Sequence, residues 1–156
     1  MIGIGTAVSD GVLAAYLPLL DVLPEFQQRG IGSTLAQRLL VRRGDTGTWA
    51  LPGGTLEWGE TLMAGLPRVI AEETGAKWLA FERVTGVYSR PDRDPRFHAV
   101  TICVVGRVAG PARGPKNKME IREARFFAPD EVPQDLAMGQ RDMLDDALGG
   151  GEVVLE

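Results

Sequence analysis

"GTLEWGETLMAGLPRVIAEETGA", residues 54–76, is the stretch from which the fold can be read. It follows "GDTGTWALPG", which holds too many glycines, with a proline, for regular structure. From about residue 61 to 74 the apolar residues recur at helical spacing, and Gly75 stands where a glycine closes a helix. Glu72 and Glu73 lie together near that end, and Arg68 precedes Glu72 by one turn, close enough to orient its carboxylate through an ion pair. Position 69 shares a face with both acids; a third carboxylate would fit there, and the residue is Val69. Pro67 denies the helix one backbone hydrogen bond and is expected to confine its regular part to later residues. Glu60, near the helix start, reads either as a ligand or as an acid complementing the helix dipole.

Paired acids of this kind suit a hard cation. Attack of water on a pyrophosphate brings an anionic nucleophile against an anionic substrate, and Mg2+ or Mn2+ relieves that repulsion while orienting the phosphates. Magnesium takes one or two carboxylates together with substrate oxygens and water. Glu72 and Glu73 supply that minimum.

The rest of the chain bounds the reading. With 156 residues, 44% hydrophobic and 24% charged, it has the size and composition of one soluble globular domain. A net charge of −4 gives no basic face for nucleic acid, so an anionic ligand needs a metal or a local basic patch. The single cysteine, Cys103, lies in "AVTICVVG" and reads as a buried small hydrophobe, which fits a reduced, cytoplasmic setting. "GVLAAYLPLL" is too short to span a bilayer and no basic segment precedes it, so neither secretion nor membrane insertion is expected.

"IGIGTAV" and "VLAAYLPLLDVL" flank "SDG", a hairpin signal. "GSTLAQRLL" reads as a short helix and "QRLLVRRG" equally as a strand, which leaves the junction near residues 33 to 40 open. Strands are expected at "LAFERVTGVYS", "FHAVTICVVGRVAG" and "IREARFF", with loops at "RPDRDPR" and "GPARGPKNK", and a terminal helix at "QDLAMGQRDMLDDALGG". This order suggests an α/β or α+β sandwich. His98, in "PRFHAV", reads as a strand-edge or core residue, and Tyr88, Trp49 and Trp58 as packing residues before base-stacking ones.

Gly54, five residues, Glu60, seven residues, Arg68, Val69, Ile70, Ala71, Glu72, Glu73, Thr74, Gly75, Ala76 resembles the Nudix box of the Nudix hydrolases, Gly-x5-Glu-x7-Arg-Glu-U-x-Glu-Glu-x-Gly-U, with U a bulky aliphatic residue. The departures are Val69 for glutamate and the small Ala76 at the final U. The resemblance runs from about Leu39 to the terminal helix. It implies a mixed sheet sandwiched between helices and divalent-metal-dependent hydrolysis of a nucleoside diphosphate linked to another group. It further implies metal contacts at Glu72, Glu73 and Gly53, substrate contact at Gly54, and catalytic roles for Glu73, Arg68 and Glu60. A further acid in that family comes from a later loop; Glu120 is preferred over Glu123, which reads as a strand-face residue. Arg113, Lys116 and Lys118 share that loop and can approach phosphates or serve only solubility. Pro91 resembles a feature of the ADP-ribose subgroup.

"LDVLPEFQQRGIGSTLAQRLL" also resembles motif A of the GNAT acetyltransferases, with Gln27 to Gly32 between a strand and a helix start that would bind the pyrophosphate of acetyl-CoA. The resemblance covers about 38 residues, so acetyl transfer is not expected. The chain then divides into a GNAT-like hairpin and helix at 1–38, replacing the usual first-strand region, and a Nudix-like domain at 39–156. An incomplete graft would expose sheet edges, making a homodimer or strand exchange the expected assembly. The expected function is Nudix-type hydrolysis of a nucleotide substrate, impaired by Val69; the alternative is a recombined or engineered chimera that folds without turnover.

Overall fold

A computed structural model describes residues 12–22, 37–95, 98–110 and 112–156, and for 12–22 the backbone course alone. The "SDG" turn and the GNAT-like Gln27 to Gly32 lie outside these residues.

Strand β6 (Ala99–Ala109) organises the fold. Its run "TICVVG" is apolar without alternation because both faces are buried: Cys103 and Val105 enter one core cluster, Val104 and Val108 another. Cys103 is fully buried, as its apolar setting implies, and burial pushes its thiol well above the usual range. β1 (Val12–Val22) runs parallel to β6 on one side, and β5 (Lys77–Tyr88) antiparallel on the other. β4 (Gly53–Thr55) pairs antiparallel with β1, and β8 (Val154–Leu155) parallel with β5, giving a mixed five-stranded sheet in the order β4-β1-β6-β5-β8. A second, antiparallel sheet has the order β3-β2-β7, formed by β3 (Trp49–Ala50), β2 (Arg38–Arg43) and β7 (Ile121–Phe127).

Of the junction near residues 33 to 40, open between helix and strand in the sequence, residues 38 to 40 are strand, the start of β2. The reason is tertiary: Leu39 enters the cluster with Leu66 and Ile70, while Leu40 enters the one with Tyr88, Met143 and Leu144. Adjacent side chains on opposite faces require a strand. Helix α1 (Leu62–Glu73) covers the first cluster and α2 (Gln140–Gly149) the second. The outcome is the expected mixed sheet between helices.

Three local expectations need correction. Pro67 neither ends nor delays α1, which runs through it from Leu62. The bond it forfeits would reach the carbonyl of Met63, an exposed residue of the first turn, where water can substitute. The terminal helix is shorter than "QDLAMGQRDMLDDALGG". Met138 and Gly139 adopt left-handed φ of 56° and 63°, and regular helix starts at Gln140. The break lets Leu136 bridge to Trp49 and buried Gln140 accept the N–H of Leu51 at 2.8 Å. β8 was not expected, since "EVVLE" is too short to announce a strand.

The β8 segment is held by charge. Leu155 is exposed, whereas the Glu156 carboxylate takes the backbone N–H of Arg90 at 2.8 Å and is gripped by the guanidinium of Arg93. Arg93 also pairs with Asp142 at 2.9 Å and stacks over Tyr88, with only 9% of its side chain exposed. Arg93 holds the Glu156 carboxyl well below its usual value, at about 2. A depressed acid stabilises the fold above its unfolded pKa, so this contribution is whole above about pH 4.5 and lost as pH falls toward 2. Glu156→Gln should therefore lower stability at pH 7 by roughly 1 kcal/mol, a fall in Tm of about 2–4 °C. The difference between thermal melts of the two proteins should shrink as pH falls from about 4.5 toward 2; a constant difference across pH would contradict the ion-pair account.

Candidate active site

Thr61 caps α1, its hydroxyl accepting the N–H of Ala64 at 3.3 Å, and Gly75, with φ of 69°, closes it. The last carbonyls of the helix find partners in a later loop: Gly114 N–H donates to Thr74 at 3.1 Å and Lys116 N–H to Glu72 at 2.8 Å. The loop at 112–120 is thereby strapped across the helix end. Glu120 is fixed from the other side, its carbonyl accepting the Gly44 N–H at 2.6 Å.

Between these elements lies a cavity of about 380 Å³. Glu72, Glu73 and Glu120 line it, with Gly54, Arg68, Val69, Lys116 and Asn117. Thus the preferred loop acid reaches the same cavity as the helix pair. Glu123 does not line it; it lies on β7 and pairs with Arg42 at 3.5 Å.

Arg68 is the hub of the helix start. Its Nε and one terminal nitrogen grip both oxygens of Glu60 at 2.8 and 2.6 Å, the other terminal nitrogen reaches Glu72 at 3.2 Å, and the Thr55 carbonyl accepts at 2.9 Å. This fork holds the Glu60 carboxyl down at about 2, aided by the Glu57 N–H, and raises Arg68 further above its ordinary value. Glu60 therefore orients Arg68, and Arg68 orients Glu72. Both oxygens of Glu60 are already engaged, and it does not line the cavity.

Glu73 turns the other way. Its carboxylate accepts the N–H of Gly53 at 2.8 Å, so Gly53 contributes a donor to the acid. Burial pushes its carboxyl up to about 7, and the nearby charges of Glu120 and Glu72 push in the same direction. Arg43, which opposes the shift, is itself committed to Asp45 through two contacts at 3.0 and 2.5 Å. Adjacent helical positions diverge by about 100°, and here each acid follows a different partner. Among the described residues no group of three or more His, Cys, Asp or Glu side chains is set to hold a metal ion. The donors nevertheless suit a hard cation: mutual repulsion among the acids is what a divalent ion relieves, and two carboxylates plus water meet magnesium's needs.

Val69 faces the cavity and is 6% exposed. One of its methyls lies only 3.1 Å from where a Cβ on Gly54 would stand, so the absence of a side chain at Gly54 lets β4 pass over the helix. Elsewhere the expected packing roles hold for Tyr88, buried with its hydroxyl donating to Asp146 at 2.8 Å, and for Trp49, packed edge-on against Phe127. Trp58 is 98% exposed, and His98 lies at the edge of β6 against the Ser89 carbonyl at 2.7 Å. Neither lines the cavity.

The NUDIX domain model matches residues 28–147. The chain belongs to the Nudix family. The match begins inside the GNAT-like segment and gives the chimera reading no support. Among Nudix relatives, an ADP-ribose pyrophosphatase of Methanocaldococcus jannaschii is 39% identical over 99 residues, 62% of this chain and 57% of the relative. The chain thus spans little more than half the length of that relative. A MutT-like protein of Streptomyces ambofaciens is 35% identical over 112 residues, 72% of this chain and 68% of its own. In fold, the chain is similar to the NUDIX domain of Shewanella oneidensis NrtR, solved with ADP ribose, at a TM-score of 0.72 and 21% identity over 89% of this chain and 87% of that one. Of the box residues, Gly54, Arg68, Val69, Glu72 and Glu73 line the cavity, and the box departs from its pattern at Val69 and Ala76. Among the described residues no helix is long and apolar enough to cross a membrane.

What the sequence reading undervalued is the second wall. Lys116 and Asn117 line the cavity only because loop 112–120 bonds to the end of α1, a long-range contact with no local signal beyond the cations of "GPKNK".

Proposed function

We propose that this Nudix protein hydrolyses a nucleoside diphosphate linked to a second group, with a divalent metal and at a reduced rate. The observation carrying this reading is the placement of Glu72, Glu73 and Glu120 on one cavity, beside a box that departs from its pattern only at Val69 and Ala76. ADP-ribose is the first substrate to try, given the name of the M. jannaschii relative and the ligand of the NrtR domain.

Bound magnesium or manganese would neutralise the diphosphate and polarise its bonds. Glu72, Glu73 and Glu120 are the residues to hold it. Arg68 keeps Glu72 aimed, braced by Glu60. Val69 neither ligates nor accepts a proton, so Glu73 or Glu120 receives the proton of the attacking water. Residues 12–22 belong to the same unit, since β1 lies between β4 and β6 in the sheet. Among the described residues β8 covers β5 only at Gly86 and Val87, which leaves strand edge for a homodimer. The buried thiol of Cys103 fits a cytoplasmic setting.

The alternative of binding without turnover is favoured by one feature, the lack of a converged three-acid cluster among the described residues. A single experiment separates the two: turnover of ADP-ribose and a nucleotide panel with magnesium, with manganese and with excess chelator. Metal-dependent cleavage abolished by chelator is expected; metal-induced stabilisation without cleavage of any panel member would establish the binding-only reading.

A further inference from the structure

A diphosphate entering this cavity meets three carboxylates, and a metal beside them offsets the phosphate it touches. The neighbouring phosphate needs a counter-charge of its own. Among the described residues two cationic side chains line the cavity, Arg68 and Lys116. Arg68 is spent on Glu60, Glu72 and the Thr55 carbonyl. Arg43, the other cation near Glu73, is forked onto Asp45. Lys116 pairs with no acid among the described residues, and its side chain is exposed.

Its backbone is not free to wander. Lys116 N–H is bonded to the Glu72 carbonyl, Gly114 N–H to that of Thr74, and Asn117 turns the chain back by accepting the N–H groups of Met119 and Ile121. The ammonium is thus tethered within one side-chain length of the carboxylate pair, on the wall next to Glu72. Arg113 and Lys118, in the same loop, do not line the cavity.

We propose that Lys116 is the residue that selects a diphosphate over a monophosphate in this cavity, by contacting the phosphate that the carboxylate-held metal does not reach. The assignment rests on the hydrolase reading for its biological sense but not for its test. With a glutamate missing at position 69, one anionic ligand fewer faces the substrate, and a single lysine carries the remaining neutralisation.

The test is calorimetric titration of inorganic pyrophosphate and of inorganic phosphate into the magnesium-loaded full chain, for the parent, Lys116→Ala, Lys116→Arg and Lys118→Ala. Loss of one charge-assisted contact is expected to weaken pyrophosphate about tenfold or more in Lys116→Ala, leaving phosphate nearly unchanged. Lys116→Arg should recover most of the loss, and Lys118→Ala should match the parent. If the parent turns over ADP-ribose, KM should rise by a similar factor in Lys116→Ala while kcat stays within about threefold. Equal pyrophosphate affinity in parent and Lys116→Ala, an equal loss in Lys118→Ala, or no pyrophosphate binding by the parent would each overturn the assignment. Lys116-dependent binding in a protein that hydrolyses nothing would uphold it while sinking the hydrolase reading.

Discussion

Val69→Glu should raise metal-dependent turnover about a hundredfold or more, the usual worth of a positioned general base. Val69 already points at the cavity, against Gly54 and on the wall shared with Glu72 and Glu73, so the longer side chain has an opening to follow and need not be buried unpaired. The variant brings a fourth carboxylate beside Glu72, Glu73 and Glu120. With chelator present it should therefore melt below the parent, because like charges in a partly enclosed space repel. With magnesium or manganese the order should narrow or reverse. Parallel kinetics and thermal melts check both halves. A variant that melts cooperatively, gains stability from metal and still shows parental turnover would mean that position 69 is not what limits the rate.

Glu73→Gln is the complementary change, expected to lower turnover by about a hundredfold or more. The amide keeps an oxygen for the Gly53 N–H, so the β4 contact survives while the charge is lost. The stability effect has the opposite sign. An acid whose folded pKa is raised to about 7 binds more protons folded than unfolded, so in metal-free protein its cost grows as pH rises from about 4.5 and is complete above 7. Metal-free Glu73→Gln at pH 8 should therefore exceed the parent in stability by roughly 1–3 kcal/mol, and by little at pH 4.5. Denaturant unfolding at the two pH values measures this directly. Unchanged turnover with the predicted stabilisation would remove Glu73 from the catalytic set and leave it a part-buried acid with a raised pKa.

Much of the site is local in sequence. Gly54, Glu60, Arg68, Glu72, Glu73 and Gly75 span 22 residues and one helix, so spacing alone places Arg68 beside Glu72 and a glycine at the helix end. The partnership of Arg68 with Glu60, eight residues earlier, depends on how the preceding loop folds against the helix, and no periodicity announces it.

Sequence by itself determined the box helix, the buried Cys103 strand and the strand "IREARFF", because each carries its periodicity or its apolar run within a few neighbours. Tertiary structure decided the rest. Residues 38 to 43 became strand because Leu39 and Leu40 had two cores to fill, and the last helix began late because Gln140 and Leu136 had distant partners. It also decided the chemistry of the acids: adjacent Glu72 and Glu73 look alike in sequence, yet one is half-exposed on an arginine and the other enclosed on a backbone amide, with its proton affinity raised. The dielectric and partners around a carboxylate belong to the folded surroundings, which no short stretch of chain contains.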